Sequence, residues 1–261
     1  MAKLCPLFSG SEGNCTYISA RNTGFLVDAG VSAKRILTAI DERGIDSEQI
    51  KGIFITHEHS DHINGLKVLL KRLNIPVFAS AKTLETIAAK DALPQGCRVE
   101  AIENEADLCG IHIKRFATSH DCEGSGGYRF DLSGDLSVAV CTDTGIITPE
   151  IKQSLMGCRG VLIESNHDLK MLKNGPYPYE LKLRVGSDMG HLSNNACAAF
   201  LPELLNTGTS RIILGHISQN NNRPDLAASC AQAALMDIGA KRDEDYLLSC
   251  ASPLGGGELP L

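Results

Sequence analysis

The chain has 261 residues, 43% of them hydrophobic and 21% charged, an ordinary balance for a globular protein long enough to bury a full core. A formal net charge of −6 argues against indiscriminate binding to nucleic acid, while leaving room for a local basic groove. The first ten residues lack a signal-peptide pattern and no apolar run approaches membrane-spanning length; ten cysteines without a C-x-x-C pair read as reduced thiols, so a cytoplasmic protein with no membrane partner is expected.

Taken in order, residues 15–19 and 25–28 read as a hairpin, with Arg21, Asn22, Thr23 and Gly24 as its turn. Ser32 is expected to cap a helix running to about Arg43, with Ile36, Leu37 and Ile40 on one face and Gly44 at its end. Residues 53–56 form an apolar β-branched stretch, and Leu66, Leu69, Leu70 and Leu73 recur at helical spacing. Pro76 precedes a short strand at 77–79, followed by a helix at 83–89. The middle is strand-rich, at 99–102, 111–117, 127–132 and 136–142, with Ser133-Gly134 as a turn. A helix at 149–156 and a buried strand at 161–164 come next. Residues 166–189 carry Asn174-Gly175-Pro176 and Pro178 and read as a looser stretch. A helix at 194–205, a strand at 211–214, a helix at about 225–238 and a strand at 246–250 close the chain. No repeat or linker divides it, so residues 1–261 are expected to form one α/β domain.

Between the strand at 53–56 and the leucine-rich helix stands His57-Glu58-His59-Ser60-Asp61-His62. Imidazole and carboxylate together suit zinc, manganese or iron, and so tight a cluster can serve two ions at once. Three more candidates each follow a strand-like run: His120 after 116–119, Asp143 after 138–142 and His216 after 212–215. Polar groups on loops held by a rigid sheet are where active sites are usually built.

The order H-x-H-x-D-H, then His, Asp and His, resembles the metallo-β-lactamase superfamily. Asp28, in Phe25-Leu26-Val27-Asp28-Ala29-Gly30, matches an early strand-end aspartate of that fold. The resemblance implies a four-layer αββα sandwich with two divalent metal ions (Zn, Mn or Fe) at one edge of the sheets. His57, His59 and His120 would hold one ion, Asp61, His62 and His216 the other, and Asp143 would bridge them. Two cations roughly 3.5–4 Å apart can share an activated hydroxide and clamp the attacking and leaving oxygens of a phosphoryl transfer. Asp61 would also orient the attacking water, and Asp28 would fix a ligand or a loop by a hydrogen bond. A glutamate in place of His59 would mark the diiron oxygen-reducing branch, and a cysteine in place of Asp143 a true β-lactamase. Neither is present, which leaves a carboxylate-bridged hydrolase.

Three smaller motifs narrow the group: Ser9-Gly10-Ser11-Glu12-Gly13-Asn14, Met189-Gly190-His191-Leu192-Ser193-Asn194-Asn195, and Gly215-His216-Ile217-Ser218-Gln219-Asn220-Asn221-Asn222. Together they are similar to the YycJ/WalJ (VicX) group, bacterial proteins described as 5′-to-3′ exonucleases. The resemblance implies a metal-dependent phosphodiesterase with DNA as its substrate, and says nothing of protein partners. The alternative is a small-molecule hydrolase of the same fold, acting on a cyclic phosphodiester, a lactone or a thioester. Glyoxalase-type enzymes are disfavoured, because only 45 residues follow His216.

The residues themselves also suit a phosphodiester. His191 begins a helix with Ser193 and Asn194, where free N–H groups and the helix dipole suit a phosphate. His191 is expected to bind the scissile phosphate or protonate the leaving oxygen, with Ser193 and Asn194 as substrate contacts. Lys170, Lys173, Lys182 and Arg184 cluster in one segment with Tyr177 and Tyr179, as phosphate contacts and stacking platforms would. His167 is a further candidate to line the cleft, and the loop at 9–14 is either a plain connection or a source of backbone donors to phosphate.

Overall fold

A computed structural model describes residues 2–134 and 136–261. The first sheet contains β1 (Lys3–Phe8), β2 (Cys15–Ala20), β3 (Thr23–Val27), β4 (Ile50–Phe54), β5 (Val77–Ala79) and β6 (Val99–Ala101), side by side in that order. The second contains β7 (Glu105–Leu108), β8 (Ile111–Ala117), β9 (Gly126–Ser133), β10 (Leu136–Cys141), β11 (Gly160–Glu164), β12 (Arg211–Gly215) and β13 (Leu247–Cys250). A short β14 (Leu259–Pro260) pairs with β1 and completes the first sheet at seven strands. Helices α1 (Ala33–Glu42), α2 (Ser60–Ile63), α3 (Leu66–Leu73) and α4 (Ala81–Ala89) interrupt the first sheet's sequence. Helices α5 (Pro149–Leu155), α6 (Leu169–Asn174), α7 (Tyr179–Val185), α8 (Asn194–Asn206) and α9 (Pro224–Asp237) interrupt that of the second.

Three apolar clusters account for the layering. One joins inner-face residues of both sheets, including Phe25, Phe54 and Phe78 from the first and Tyr128, Phe130 and Leu162 from the second. A second packs Ile36, Ile40, Leu66, Leu69 and Ile87 of α1, α3 and α4 onto the outer face of the first sheet. A third packs Ile151, Leu201 and Leu235 of α5, α8 and α9 onto the outer face of the second. The fold is therefore the four-layer αββα sandwich. Phe54 is the hub between the sheets, its ring 4.9–5.3 Å from those of Phe25, Phe78, Tyr128 and Phe130. Tyr128 also donates its hydroxyl to Ile55 O (2.8 Å), tying this core to the start of the histidine-rich loop.

Local chemistry explains most element boundaries. Thr148 caps α5 through the Ile151 N–H with Pro149 at the first helical position, and Gly44 follows α1 at a φ of +60°. Unanticipated elements have readable causes. Strand β1 holds Pro6 at a slip in its register with β2, the kind of bulge where a strand tolerates proline. Strand β7 is an edge strand of four residues, too short for its alternation of Glu105 and Asp107 with Ala106 and Leu108 to stand out. Helices α6 and α7 are only 6 and 7 residues long and are separated by Pro176 and Pro178, so neither shows a periodic pattern.

The topology decides where the site forms. Strands β3 and β4 are parallel, as are β10, β11 and β12. Strand β8 runs the same way as β10, since both are antiparallel to β9. The carboxyl ends of these strands gather at one edge, where ligands bind in open sheets. Among the described residues no helix is long and apolar enough to cross a membrane.

Candidate metal centre

Asp28 follows β3, His57 follows β4, His120 follows β8, Asp143 follows β10 and His216 follows β12. Their side chains converge. His59 Nδ1 lies 3.0 Å from His57 Nε2 and 3.3 Å from His120 Nε2. Beside this set, Asp61 Oδ2 lies 3.4 Å from His62 Nε2 and 3.6 Å from His216 Nε2. Asp143 stands between the two sets, with Oδ2 3.3 Å from His62 Nε2 and Oδ1 3.9 Å from His120 Nε2. Tetrahedral coordination with bonds of about 2.0–2.2 Å places ligand atoms about 3.3–3.6 Å apart, which these separations approach.

Each inward nitrogen is selected by what holds the other one. His62 Nδ1 is 2.8 Å from Asp28 Oδ2, and His216 Nδ1 is 2.7 Å from Glu164 Oε1. His120 Nδ1 is 3.0 Å from Gly190 O, His57 Nδ1 is 3.0 Å from Thr56 Oγ1, and His59 Nε2 is 3.1 Å from Cys122 Sγ. Outer partners of this kind fix the tautomer and the ring orientation of metal-binding histidines. Asp28 in turn accepts from the Thr56 N–H (2.8 Å) and the Thr56 hydroxyl.

Two observations test the fit of divalent cations to this pocket. Asp143 Oδ2 and His216 Nε2 are buried, and neither has a hydrogen-bond partner. A buried polar atom left unsatisfied costs about 1–3 kcal/mol, so the pocket suits a partner outside the chain. The charge balance agrees. Burial draws His57 and His59 below the ordinary imidazole range, toward the neutral form that ligation needs. Burial also opposes charge on His62, but Asp28, Asp143 and Asp61 outweigh it and hold this group well above its usual value. His216 is likewise raised against its burial, by Asp143, Asp61 and Glu164. A nearly solvent-free pocket with this many carboxylates favours positive charge, and its donor set suits divalent metal ions.

The backbone is bent to make the site. Asp28, Asp143 and His216 adopt φ values of +64°, +58° and +52°. Non-glycine residues take such values rarely, and they concentrate where a structure must aim a functional side chain. The loop at 9–14 proves to be a brace. Asn14 N–H donates to Asp61 O (2.8 Å), and Ser9 Oγ accepts from the His216 N–H (2.8 Å). Gly30 is needed beneath it, because a Cβ there would collide with Asp61 O.

With this geometry, the sequence comparison is decisive: residues 23–217 match the profile described as the Beta-lactamase superfamily domain. The chain belongs to the β-lactamase superfamily. Within that superfamily it is 36% identical over 246 residues to exodeoxyribonuclease WalJ of Streptococcus pneumoniae serotype 2 (strain D39 / NCTC 7466), covering 91% of this chain and 90% of that one. It is 33% identical over 250 residues to exodeoxyribonuclease YycJ of Bacillus anthracis, covering 95% and 94%. Among solved superfamily structures, Zn(2+)-bound PqqB from Methylobacterium extorquens aligns with a TM-score of 0.72 at 16% identity, over 99% of this chain and 100% of that one.

A cleft of about 170 Å3 opens beside the superfamily's metal edge, lined by His120, His191, Asn166, Tyr177, Arg184 and Ser218 among others. His191 is thus next to the ligands, with Nδ1 2.9 Å from Glu164 Oε1. Asn194 is not available to a substrate, which corrects the expectation drawn from its place at a helix start, whereas Ser193 stays half-exposed. Asn194 is 2% exposed and exchanges its amide with Ser165 and Asn222 at 2.7–2.8 Å, while the Ser193 hydroxyl caps α8 through the Ala196 N–H. Lys170 and Lys173 are exposed on α6 and do not line the cleft, and His167 is buried away from it. Tyr177 and Arg184 are the members of that segment that reach the cleft.

Glu164 is the functional residue that sequence reasoning passed over. It is fully buried at the end of β11 and accepts from His191, His216 and the Thr144 and Leu192 N–H groups at 2.7–3.0 Å. The signal was present: a lone carboxylate ending the apolar run Val161-Leu162-Ile163 repeats the pattern that marked Asp143. Asp121 was missed as well; it sits 3.3 Å from His120 Nε2 and pairs with Arg184 at 2.5–2.6 Å.

Proposed function

We propose that this chain is a dinuclear metal-dependent phosphodiesterase, one catalytic domain across residues 1–261, that removes nucleotides from DNA in the 5′-to-3′ direction. The observation that carries this reading is the pair of converging histidine and aspartate sets, with Asp143 between them and His191 beside them in the cleft. His57, His59 and His120 would hold one ion and Asp61, His62 and His216 the other. When bound, zinc, manganese or iron there supplies Lewis-acid charge neutralisation and water activation for phosphoryl transfer.

The chain's own residues do the rest. Asp61 is the more exposed of the two ligand carboxylates, at 22% against 3% for Asp143, and so is the one placed to orient an attacking water. His191 has Nδ1 engaged with Glu164, which leaves Nε2 to protonate the leaving oxygen. Burial disfavours the charged form of Glu164, but His191 and His216 outweigh it and keep this carboxylate ionised, so it holds the His191 ring by a hydrogen bond. Arg184 suits a phosphate and Tyr177 a base at the cleft, with Lys170 and Lys173 as outer phosphate contacts. Ten free cysteines suit a cytoplasmic location.

The small volume of the cleft also suits a second reading, a hydrolase of cyclic phosphodiesters, lactones or thioesters. Hydrolysis of bis(p-nitrophenyl) phosphate with added Mn²⁺ or Zn²⁺, followed by end-blocked labelled duplex DNA, separates the two. The nuclease reading requires cleavage of both, with DNA shortening from free 5′ ends. Turnover of the simple diester with intact DNA would favour the small-molecule reading instead.

A further inference from the structure

A second groove, of about 380 Å3, is lined by Phe8, Lys34, Arg35, Arg43 and Leu254, with Glu42 as its one acidic neighbour. Its wall residue Phe8 leads directly into the loop at 9–14 that reaches the catalytic cleft. Phe8 precedes Ser9, the residue whose hydroxyl holds the His216 N–H, and Ser11 lines the cleft itself. Ser9 N–H donates to Ser252 O (3.0 Å), and the Arg35 guanidinium lies 4.8 Å over the Phe8 ring and donates to Pro253 O (3.4 Å). The loop at 9–14 therefore connects the groove's wall to the cleft.

Phe8 and Ala39 of the lining belong to the core, whereas its charged residues do not. Helix α1 buries Ile36 and Ile40 against the first sheet, while Lys34 and Arg35 are exposed and Ala39 lines the groove. Leu254 is 81% exposed, the most exposed large hydrophobic among the described residues. Three cations beside an open apolar side chain are a local exception in a chain of net charge −6. Such a combination offers charge to a backbone and an apolar face to bases.

The geometry points to this groove as the track for single-stranded nucleic acid beyond the scissile bond. Lys34, Arg35 and Arg43 take successive phosphates, and Leu254 supports a base. The assignment rests on the phosphodiesterase reading above, because a strand entering a cleft of about 170 Å3 must continue over a neighbouring surface.

The test compares the wild-type holoenzyme with Lys34→Gln/Arg35→Gln on a dinucleotide and on an oligodeoxynucleotide of about 20 residues, across a salt series. On the long substrate the variant's KM rises about tenfold more than on the dinucleotide. Its plot of log(kcat/KM) against log salt becomes shallower by about 1.4, since each single-strand phosphate contact contributes about 0.7. Lys34→Glu alone, at an exposed site away from the Phe8 ring, moves both readouts the same way with an unchanged melting temperature. Equal effects on both lengths, or an unchanged salt slope while wild type digests the oligonucleotide, overturn the track. If wild type hydrolyses bis(p-nitrophenyl) phosphate but no oligonucleotide, the nuclease reading fails and the track fails with it.

Discussion

Glu164→Gln should uncouple the metal pocket from the proton donor while changing the volume of the site very little. In the native arrangement Oε1 accepts from His191 and His216, and Oε2 accepts from the Thr144 and Leu192 N–H groups. The glutamine keeps its oxygen where the two fixed backbone donors need an acceptor. Its NH2 group then faces both imidazoles and turns each Nδ1 into an acceptor. His216 consequently carries its proton on Nε2, the atom that would otherwise ligate. Loss of such an outer partner costs 10–100-fold in metal affinity, or about 1.4–2.8 kcal/mol. His191 also loses the carboxylate that orients its ring, so turnover at saturating metal should drop by about 10²-fold or more. Competition against a chromophoric chelator gives the affinity, diester hydrolysis gives the rate, and a thermal melt confirms folding. Affinity and rate both within about twofold of wild type would refute this role for Glu164.

Three further outcomes test separate parts of the account. Asp143→Asn keeps the shape and the tolerance for a left-handed φ but removes the bridging charge; it should abolish turnover and reduce bound metal by elemental analysis, and a wild-type rate would exclude the bridge. His191→Ala should lower the rate by about 10²–10⁴-fold with metal content retained, whereas a collapse of metal content would make His191 a ligand. Phe54→Ala should destabilise the fold by about 3–5 kcal/mol in urea unfolding, because its ring contacts four others between the sheets; a shift under about 1 kcal/mol would mean that this hub does not carry the inter-sheet core.

The convergence of His57, His120, Asp143 and His216 was legible because each follows an apolar strand, and parallel strands deliver their carboxyl ends to one edge. The spacing of His57, His59, Asp61 and His62 needed no tertiary information. Glu164 escaped because a glutamate at the end of a buried strand looks like the strand's polar terminus; only the third dimension brings it against His191 and His216. Asn194 illustrates the opposite error. A helix start invites a phosphate, but the Asn194 amide is already used within the fold. Regular helices with a leucine or isoleucine stripe, such as α1 and α3, were readable from period alone. Strands β1 and β7 were not, one for its proline and the other for its four-residue length.

The central claim is that side chains distant in sequence hold a pair of cations at one edge of the sandwich. Anomalous scattering from crystals of the metal-loaded protein measures this directly. The account predicts two peaks roughly 3.5–4 Å apart, one among His57, His59 and His120 and the other among Asp61, His62 and His216, with Asp143 between them. A single peak, or His120 or His216 turned away from the histidine-rich loop, would contradict it.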